Sequence, residues 1–210
     1  VKASQGSPYY DNIVRWAAAQ GYVGVNINYR LAPEYQWPSG IEDLSAVVEW
    51  ISANIAGYGG DAAKVFLWGN SAGGGHVSDY IAEQVRNGLD DRIRGAILAS
   101  GMYELGSEVS IWEAYYGNDV VMYPRRSSAA MLTTTTTPLL VVDAELDPEW
   151  ALEQARGLSD ALSAADKPFT RLHLAGHSHL SESYAVGTND RSLTDPITEF
   201  IETTLAQENP

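Results

Sequence analysis

Residues 65–76 read Val65-Phe66-Leu67-Trp68-Gly69-Asn70-Ser71-Ala72-Gly73-Gly74-Gly75-His76. An apolar run stops at a Gly-x-Ser-x-Gly, and an amphipathic stretch follows at once. That order predicts a strand, a sharp turn and a helix, the arrangement of a nucleophile elbow. The turn is tight, so only residues without bulk fit beside the serine. Gly69 and Gly73 meet that need, and Ala72 is nearly as small. Ser71 is then expected to project its hydroxyl from the top of a sheet at a helix N-terminus, where free N–H groups and the helix dipole favour negative charge. The segment points to acyl transfer through a serine. A loop with no chemistry is the bland alternative, because Gly/Ser runs are common. A phosphate loop is disfavoured, since no Lys-Ser/Thr follows the glycines.

Around this segment lie 210 residues, the size of one domain with a sizeable core. Hydrophobic residues make up 45% and charged residues 19%, and no apolar run reaches the roughly 18 residues of a membrane span. The net charge of −14 repels nucleic acid and anionic membranes and suits a neutral small-molecule substrate. The charge thus favours a neutral small molecule as partner, with no nucleic acid and no membrane, and a second copy of the chain is a further expectation. Zero cysteines exclude disulfides, thiol catalysis and Cys-ligated metal, and no metal site is expected. No signal peptide is visible, which favours a cytoplasmic location. The first residue is Val1 rather than Met, which points to a native start upstream.

Periodicity gives the remaining elements. Residues 12–20 predict a helix ended by Gly21, and the alternation in 22–29 predicts a strand. A Pro-bearing loop over 30–40 leads to a helix over 41–55. Residues 64–68 and 71–86 are the strand and helix of the elbow. Strands are expected at 93–100, 138–142 and 169–174, and helices at 150–162 and 197–205. Alternating strands and helices mean an α/β fold, a mostly parallel sheet with helices on both faces. Residues 101–137 are aromatic and fit the alternation poorly, so they are expected to form an irregular cover over a site. The tract Thr133–Thr137 reads as a loop.

A serine hydroxyl needs an imidazole to accept its proton and a carboxylate to orient that imidazole. In this architecture the chain order is serine, acid, histidine. Asp143, Glu145 and Asp147 leave the strand at 138–142. Asp147, just before Pro148, sits at the loop tip and is the preferred acid, though it could equally cap the following helix. Of the four histidines, His173 falls within a strand and His76 one turn into the elbow helix, where packing roles are commoner. His177 follows Gly176 and is the preferred base, with His179 as the alternative. Within the cover, Trp112, Tyr115 and Tyr116 are candidate substrate contacts.

Further motifs make a resemblance visible. Asn28-Tyr29-Arg30-Leu31-Ala32-Pro33-Glu34, then Trp37-Pro38 and Asp43, stand upstream of Gly69-Asn-Ser-Ala-Gly-Gly and Asp147-Pro148. With these the chain resembles the hormone-sensitive-lipase and carboxylesterase group of α/β-hydrolases over nearly its whole length. The resemblance implies hydrolysis of carboxylic esters with short acyl chains, through an acyl-enzyme and without a cofactor. Arylformamidases and feruloyl-esterase-like enzymes share much of the pattern, and a non-catalytic binding module or an inactive fragment on the same fold is a further reading. One departure stands out. In the group an oxyanion hole is made by the N–H of the residue after the nucleophile, here Ala72 as the resemblance implies, and by a His-Gly-Gly-Gly segment, which is absent from these 210 residues. The resemblance thus implies that N-terminal strands are missing, that the chain is part of a longer enzyme, and that a strand from outside it fits between 22–29 and 64–68.

Overall fold

In the computed structural model, which describes residues 8–90, 92–106 and 112–207, helix α1 spans Pro8–Ala19 and α2 Ser39–Asn54. The elbow follows as β1 (Phe66–Asn70) and α3 (Ala72–Arg86). Next come β2 (Gly95–Ala99) and three single-turn helices, α4 (Glu113–Tyr116), α5 (Tyr123–Arg126) and α6 (Ala129–Leu132). The chain continues through β3 (Leu139–Leu146), α7 (Glu149–Ala164), β4 (Thr170–Ser178), the short α8 (Ser181–Tyr184) and α9 (Thr194–Ala206).

The sheet order is β1-β2-β3-β4, and every pairing is parallel. Trp68 stands opposite Ile97, and Ile97 opposite Leu140. All of β2 and the first six residues of β3 are buried, which is why these strands read as continuous apolar runs rather than alternating ones. Side chains still alternate between the two faces. Leu98, Leu139 and Val141 pack with Leu44, Val48, Ile51, Tyr80, Ile81, Leu158 and Leu162 of α2, α3 and α7. Ile97, Leu140 and Val142 pack on the opposite face with Ile197, Phe200 and Ile201 of α9 and with Trp16 of α1. Burying each such side chain contributes about 1.5–3 kcal/mol. Because the strands are parallel, their C-terminal ends share one side of the sheet, where sites on such sheets are built.

One expected strand is not formed. Residues 22–30 form no helix and no strand ladder, and Val23 and Val25 are exposed. A period of two sets the faces of an extended chain, but a strand also needs a neighbour to receive its hydrogen bonds. Among the described residues β1 is bonded only to β2, so 22–29 and β1 do not pair with each other.

The loop after 22–30 is fixed by charge. The Arg30 N–H and Nε donate to the two oxygens of Asp43 at 2.7 and 2.8 Å, tying the Arg-Leu-Ala-Pro block to the first turns of α2. The threonine tract is also anchored. Asp90 accepts from the Thr135 hydroxyl at 2.5 Å, from the Thr136 N–H and from the Thr137 hydroxyl. The segment expected to be irregular contains α4–α6 and a small core of its own, formed by Met102, Leu105, Tyr116 and Tyr123. Residues 107–111 of it lie outside the described residues.

Candidate active site

Ser71 is the single residue between the end of β1 and the start of α3. It holds φ 55° and ψ −121°, a conformation that costs a non-glycine residue about 1–3 kcal/mol. Its N–H donates to the Ala99 carbonyl at 2.9 Å, and its own carbonyl accepts from the Gly75 N–H at 3.2 Å. These bonds on both sides hold the strained turn. A Cβ on Gly69 would fall on the Gly73 carbonyl and the Gly74 nitrogen, so position 69 admits only glycine. Gly73, in contrast to the expectation from sequence, faces open space. The close approach that does need a small residue is one place on, where a Cβ on Gly74 would lie 3.0 Å from the Gly101 Cα. Ala72 opens α3, so its N–H is one of the first-turn donors without an intrahelical acceptor.

Beside Ser71 stands His179, with Nε2 2.8 Å from the serine Oγ. Its Nδ1 lies 2.7 Å from Asp147 Oδ1. The carboxylate fixes the tautomer: Nδ1–H donates to Asp147, which leaves the Nε2 lone pair facing the serine O–H. Asp147 is buried. Its Oδ2 accepts from the Ala144 N–H at 2.8 Å and from the Ser100 hydroxyl at 2.6 Å. Burial by itself would raise the Asp147 pKa, but the hydrogen bonds from His179, Ser100 and Ala144 outweigh it and hold the carboxyl below its usual range.

The structure therefore brings together Ser71, Asp147 and His179, and it does not bring His177 to the serine. His177 is buried elsewhere. Its Nε2 lies 3.1 Å from both Ser192 Oγ and Asp190 Oδ2, and its Nδ1 is 3.3 Å from Ser181 Oγ. The difference comes from strand length. β4 runs on to Ser178, four residues beyond the expected end at 174. His177 is thus still in the strand, and His179 is the first residue of the turn over the sheet.

The other acids and histidines near the strand ends have separate partners. Asp143, only 1% exposed, bonds Arg171 at 2.6 Å and His173 at 2.7 Å. Glu145 accepts from the Gly176 N–H at 2.6 Å. His76 is buried between the rings of Tyr29 and Tyr115, at 4.5 and 4.7 Å between centroids. Asp147 does not cap α7, since Pro148 occupies the N-cap position.

The three aromatic candidates divide. Trp112 stacks edge-on against Trp150 at 4.9 Å, and Trp150 stands edge-on to the His179 ring at 5.5 Å. Tyr115 packs on His76 and accepts from the Gly40 N–H at 3.0 Å. Tyr116 is buried in the cover's small core, with its hydroxyl donating to Asp79 at 2.8 Å. Trp150, which sequence reasoning passed over, was legible as the aromatic residue three places after the acid. Glu182 was also passed over. It is fully buried, with one oxygen accepting from the Asn70 amide and the other 3.1 Å from Ser100 Oγ. Its only sequence signal is a glutamate three residues after His179.

Asp147, His179 and Glu182 present donor atoms within 4.8 Å of one another. Each of those side chains is already bonded to another: His179 to Ser71 and Asp147, Asp147 to Ser100, and Glu182 to Ser100 and Asn70. This is a hydrogen-bonded network rather than a ligand shell around a cation.

Comparison with known proteins agrees with the geometry. Esterase LipQ of Mycobacterium tuberculosis is 23% identical over 201 residues, covering 86% of this chain and 48% of LipQ. Tuliposide A-converting enzyme 2 of Tulipa gesneriana is 38% identical over 112 residues, covering 49% of this chain and 28% of that enzyme. The chain thus spans less than half the length of these relatives. An esterase of Rhizomucor miehei superposes with a TM-score of 0.78 at 19% identity, covering 98% of this chain and 72% of that one. A thermostable esterase of Pseudomonas putida gives 0.75 at 18%, covering 96% and 70%. A family model described as alpha/beta hydrolase fold matches residues 3–182. That span runs from before α1 through the elbow, the acid loop and the histidine turn, and on this match the chain belongs to the alpha/beta hydrolase fold family.

Proposed function

We propose that the protein is a serine hydrolase that cleaves short-chain carboxylic esters through an acyl-enzyme. The observation that carries this reading is the pair of short contacts from one imidazole, 2.8 Å to Ser71 Oγ and 2.7 Å to Asp147 Oδ1. His179 takes the Ser71 proton as Oγ attacks the ester carbonyl carbon. Asp147 orients the ring and stabilises the imidazolium that forms. The Ala72 N–H donates to the carbonyl oxygen as it becomes an oxyanion. His179 then gives its proton to the departing alcohol, leaving the acyl group on Ser71. Water, activated by the same imidazole, releases the acid and restores the serine.

The names of the relatives support the ester class. The wall of Trp150 and Trp112 beside His179 supports a small acyl pocket. A Ser71 adduct with an organophosphate, found by intact mass and peptide mapping, together with turnover of p-nitrophenyl butyrate, tests the reading. An organophosphate that leaves the mass unchanged, with no turnover, would reject it.

A further inference from the structure

Glu182 takes no part in the chemistry above, yet it is buried directly behind the acid of the triad. Ser100 Oγ lies between two carboxyl groups, 2.6 Å from Asp147 Oδ2 and 3.1 Å from Glu182 Oε2. Ser100 and Glu182 are both fully buried. The other Glu182 oxygen accepts from the Asn70 side-chain amide, and Asn70 is the residue before the nucleophile.

A hydroxyl carries one proton and can donate only once. If both carboxyls were ionised, Ser100 would satisfy one and leave the other facing a lone pair in a site closed to bulk solvent. A proton on Glu182 removes the conflict. We propose that Glu182 is a positioning residue held as a neutral carboxylic acid, whose O–H donates to Ser100 so that the Ser100 hydroxyl is committed to Asp147. This rests on Asp147 being the acid that orients His179. The resulting chain runs one way: Glu182 O–H to Ser100 Oγ, Ser100 O–H to Asp147 Oδ2, and His179 Nδ1–H to Asp147 Oδ1. Asp147 is then held on both oxygens, and with it the ring that faces Ser71.

The surroundings favour the neutral form. Burial is the largest influence on Glu182, followed by the negative charge of Asp147, and they push its pKa up to about 8. Asp143, the other carboxylate acting on it, is already paired with Arg171 and His173. Tyr10 of α1 and Tyr103 of the segment after β2 also feel Glu182, and His179 faces it from the preceding turn. Burial raises both tyrosines, so neither ionises ahead of Glu182. Tyr184, on the same short helix as Glu182, acts on Tyr10.

Ionisation of Glu182 would remove the donor to Ser100 and set two carboxylates on one hydroxyl. The expected result is an alkaline fall in kcat centred near pH 8. The test is the pH profile of kcat for p-nitrophenyl butyrate with the wild type, Glu182→Ala and Glu182→Gln, combined with difference infrared spectra of the carboxyl C=O band. Alanine should lower kcat at neutral pH by up to about 10²-fold through a misplaced Asp147. Glutamine can donate to Ser100 and accept from Asn70, so it should recover most of that loss. It should also lack the alkaline fall. The wild type should show a protonated-carboxyl band that disappears near pH 8 and is absent from the glutamine variant. A folded glutamine variant as impaired as alanine, an alkaline fall that survives in it, or no such band overturns the proposal. The infrared band reads the proton on Glu182 even if the protein hydrolyses no ester, so failure of the proposed function is seen separately.

Discussion

His179 Nε2 stands 2.8 Å from Ser71 Oγ across the gap between the turn after β4 and the start of α3. The two residues follow β1 and β4, the outer strands of the sheet among the described residues, so their contact depends on the packing of β1 to β4 as one body. Ser71→Ala and His179→Ala should each lower kcat for a p-nitrophenyl ester by about 10⁴ or more, with near-native circular dichroism. His177→Ala should act differently. It breaks contacts to Ser181, Ser192 and Asp190, so it should reduce thermal stability while kcat changes by less than about tenfold. An inactive, well-folded His177→Ala beside an active His179→Ala would reverse the assignment of the base.

The elbow makes a paired prediction about glycine. Gly69→Ala puts a methyl group into the Gly73–Gly74 backbone, which cannot yield without moving Ser71. It should cost about 1–3 kcal/mol of stability and most of the activity. Gly73→Ala meets nothing within 4 Å. In the first turn of α3 it should be neutral or stabilising by about 0.5–1 kcal/mol. Urea denaturation of the two variants checks both halves, and equal losses would mean that the turn is not packed as described.

Burying a neutral glutamate has a thermodynamic signature apart from catalysis. Glu182 is raised from 4.5 to about 8 in the folded protein. Below 4.5 it is protonated in both states and costs nothing. Above that, the unfolded chain ionises while the folded one does not, so stability is lost as pH rises toward 8. Asp147, lowered on folding, has the opposite sign: its contribution is present at neutral pH and lost as pH falls through its folded value. Glu182→Gln should therefore gain stability relative to the wild type between about pH 5 and pH 8, on the order of 1–4 kcal/mol. Denaturation midpoints at the two pH values measure this, and a constant difference would contradict a buried neutral Glu182.

What the sequence revealed followed from local rules. The elbow could be read because its turn demands glycine at 69 and its strand and helix are contiguous. β2 and β3 could be read because burial on both faces leaves unbroken apolar runs. Asp147 was legible from its place beyond a strand end. The choice between His177 and His179 was not, because it turned on how far β4 extends. Pairing with β3 decides that length, through a register that slips between Ala144 and Leu146. Residues 22–30 misled for a related reason, since alternation is local and a ladder partner is not. Glu182 was invisible because its meaning lies in three residues distant in sequence: Asn70, Ser100 and Asp147. Tyr116 looked like a site aromatic, yet it is held inside by Asp79, 37 residues away.

The wall beside His179 gives the last prediction. Trp150 stands edge-on to the His179 ring at 5.5 Å, and Trp112 is braced on Trp150 at 4.9 Å. Two indoles packed edge to face are large and rigid, so on the proposed reading a substrate carbonyl held between Ser71 and the Ala72 N–H would have little room on that side. Esters with acyl chains of about two to six carbons should turn over faster than longer ones. Each methylene that fits or fails to fit is worth about 1–3 kcal/mol in kcat/KM. Trp150→Ala removes the ring next to His179 and the support behind Trp112. It should lower kcat for the acetate and butyrate esters, because the imidazole loses a packing partner, and should shift the preference toward octanoate and longer chains. A series of p-nitrophenyl esters from acetate to palmitate, assayed with both proteins, gives the two chain-length profiles. If the profiles coincide, Trp150 does not bound the acyl pocket. If the wild-type rate climbs steadily to palmitate, the acyl chain leaves the site by another route and the short-chain assignment is wrong.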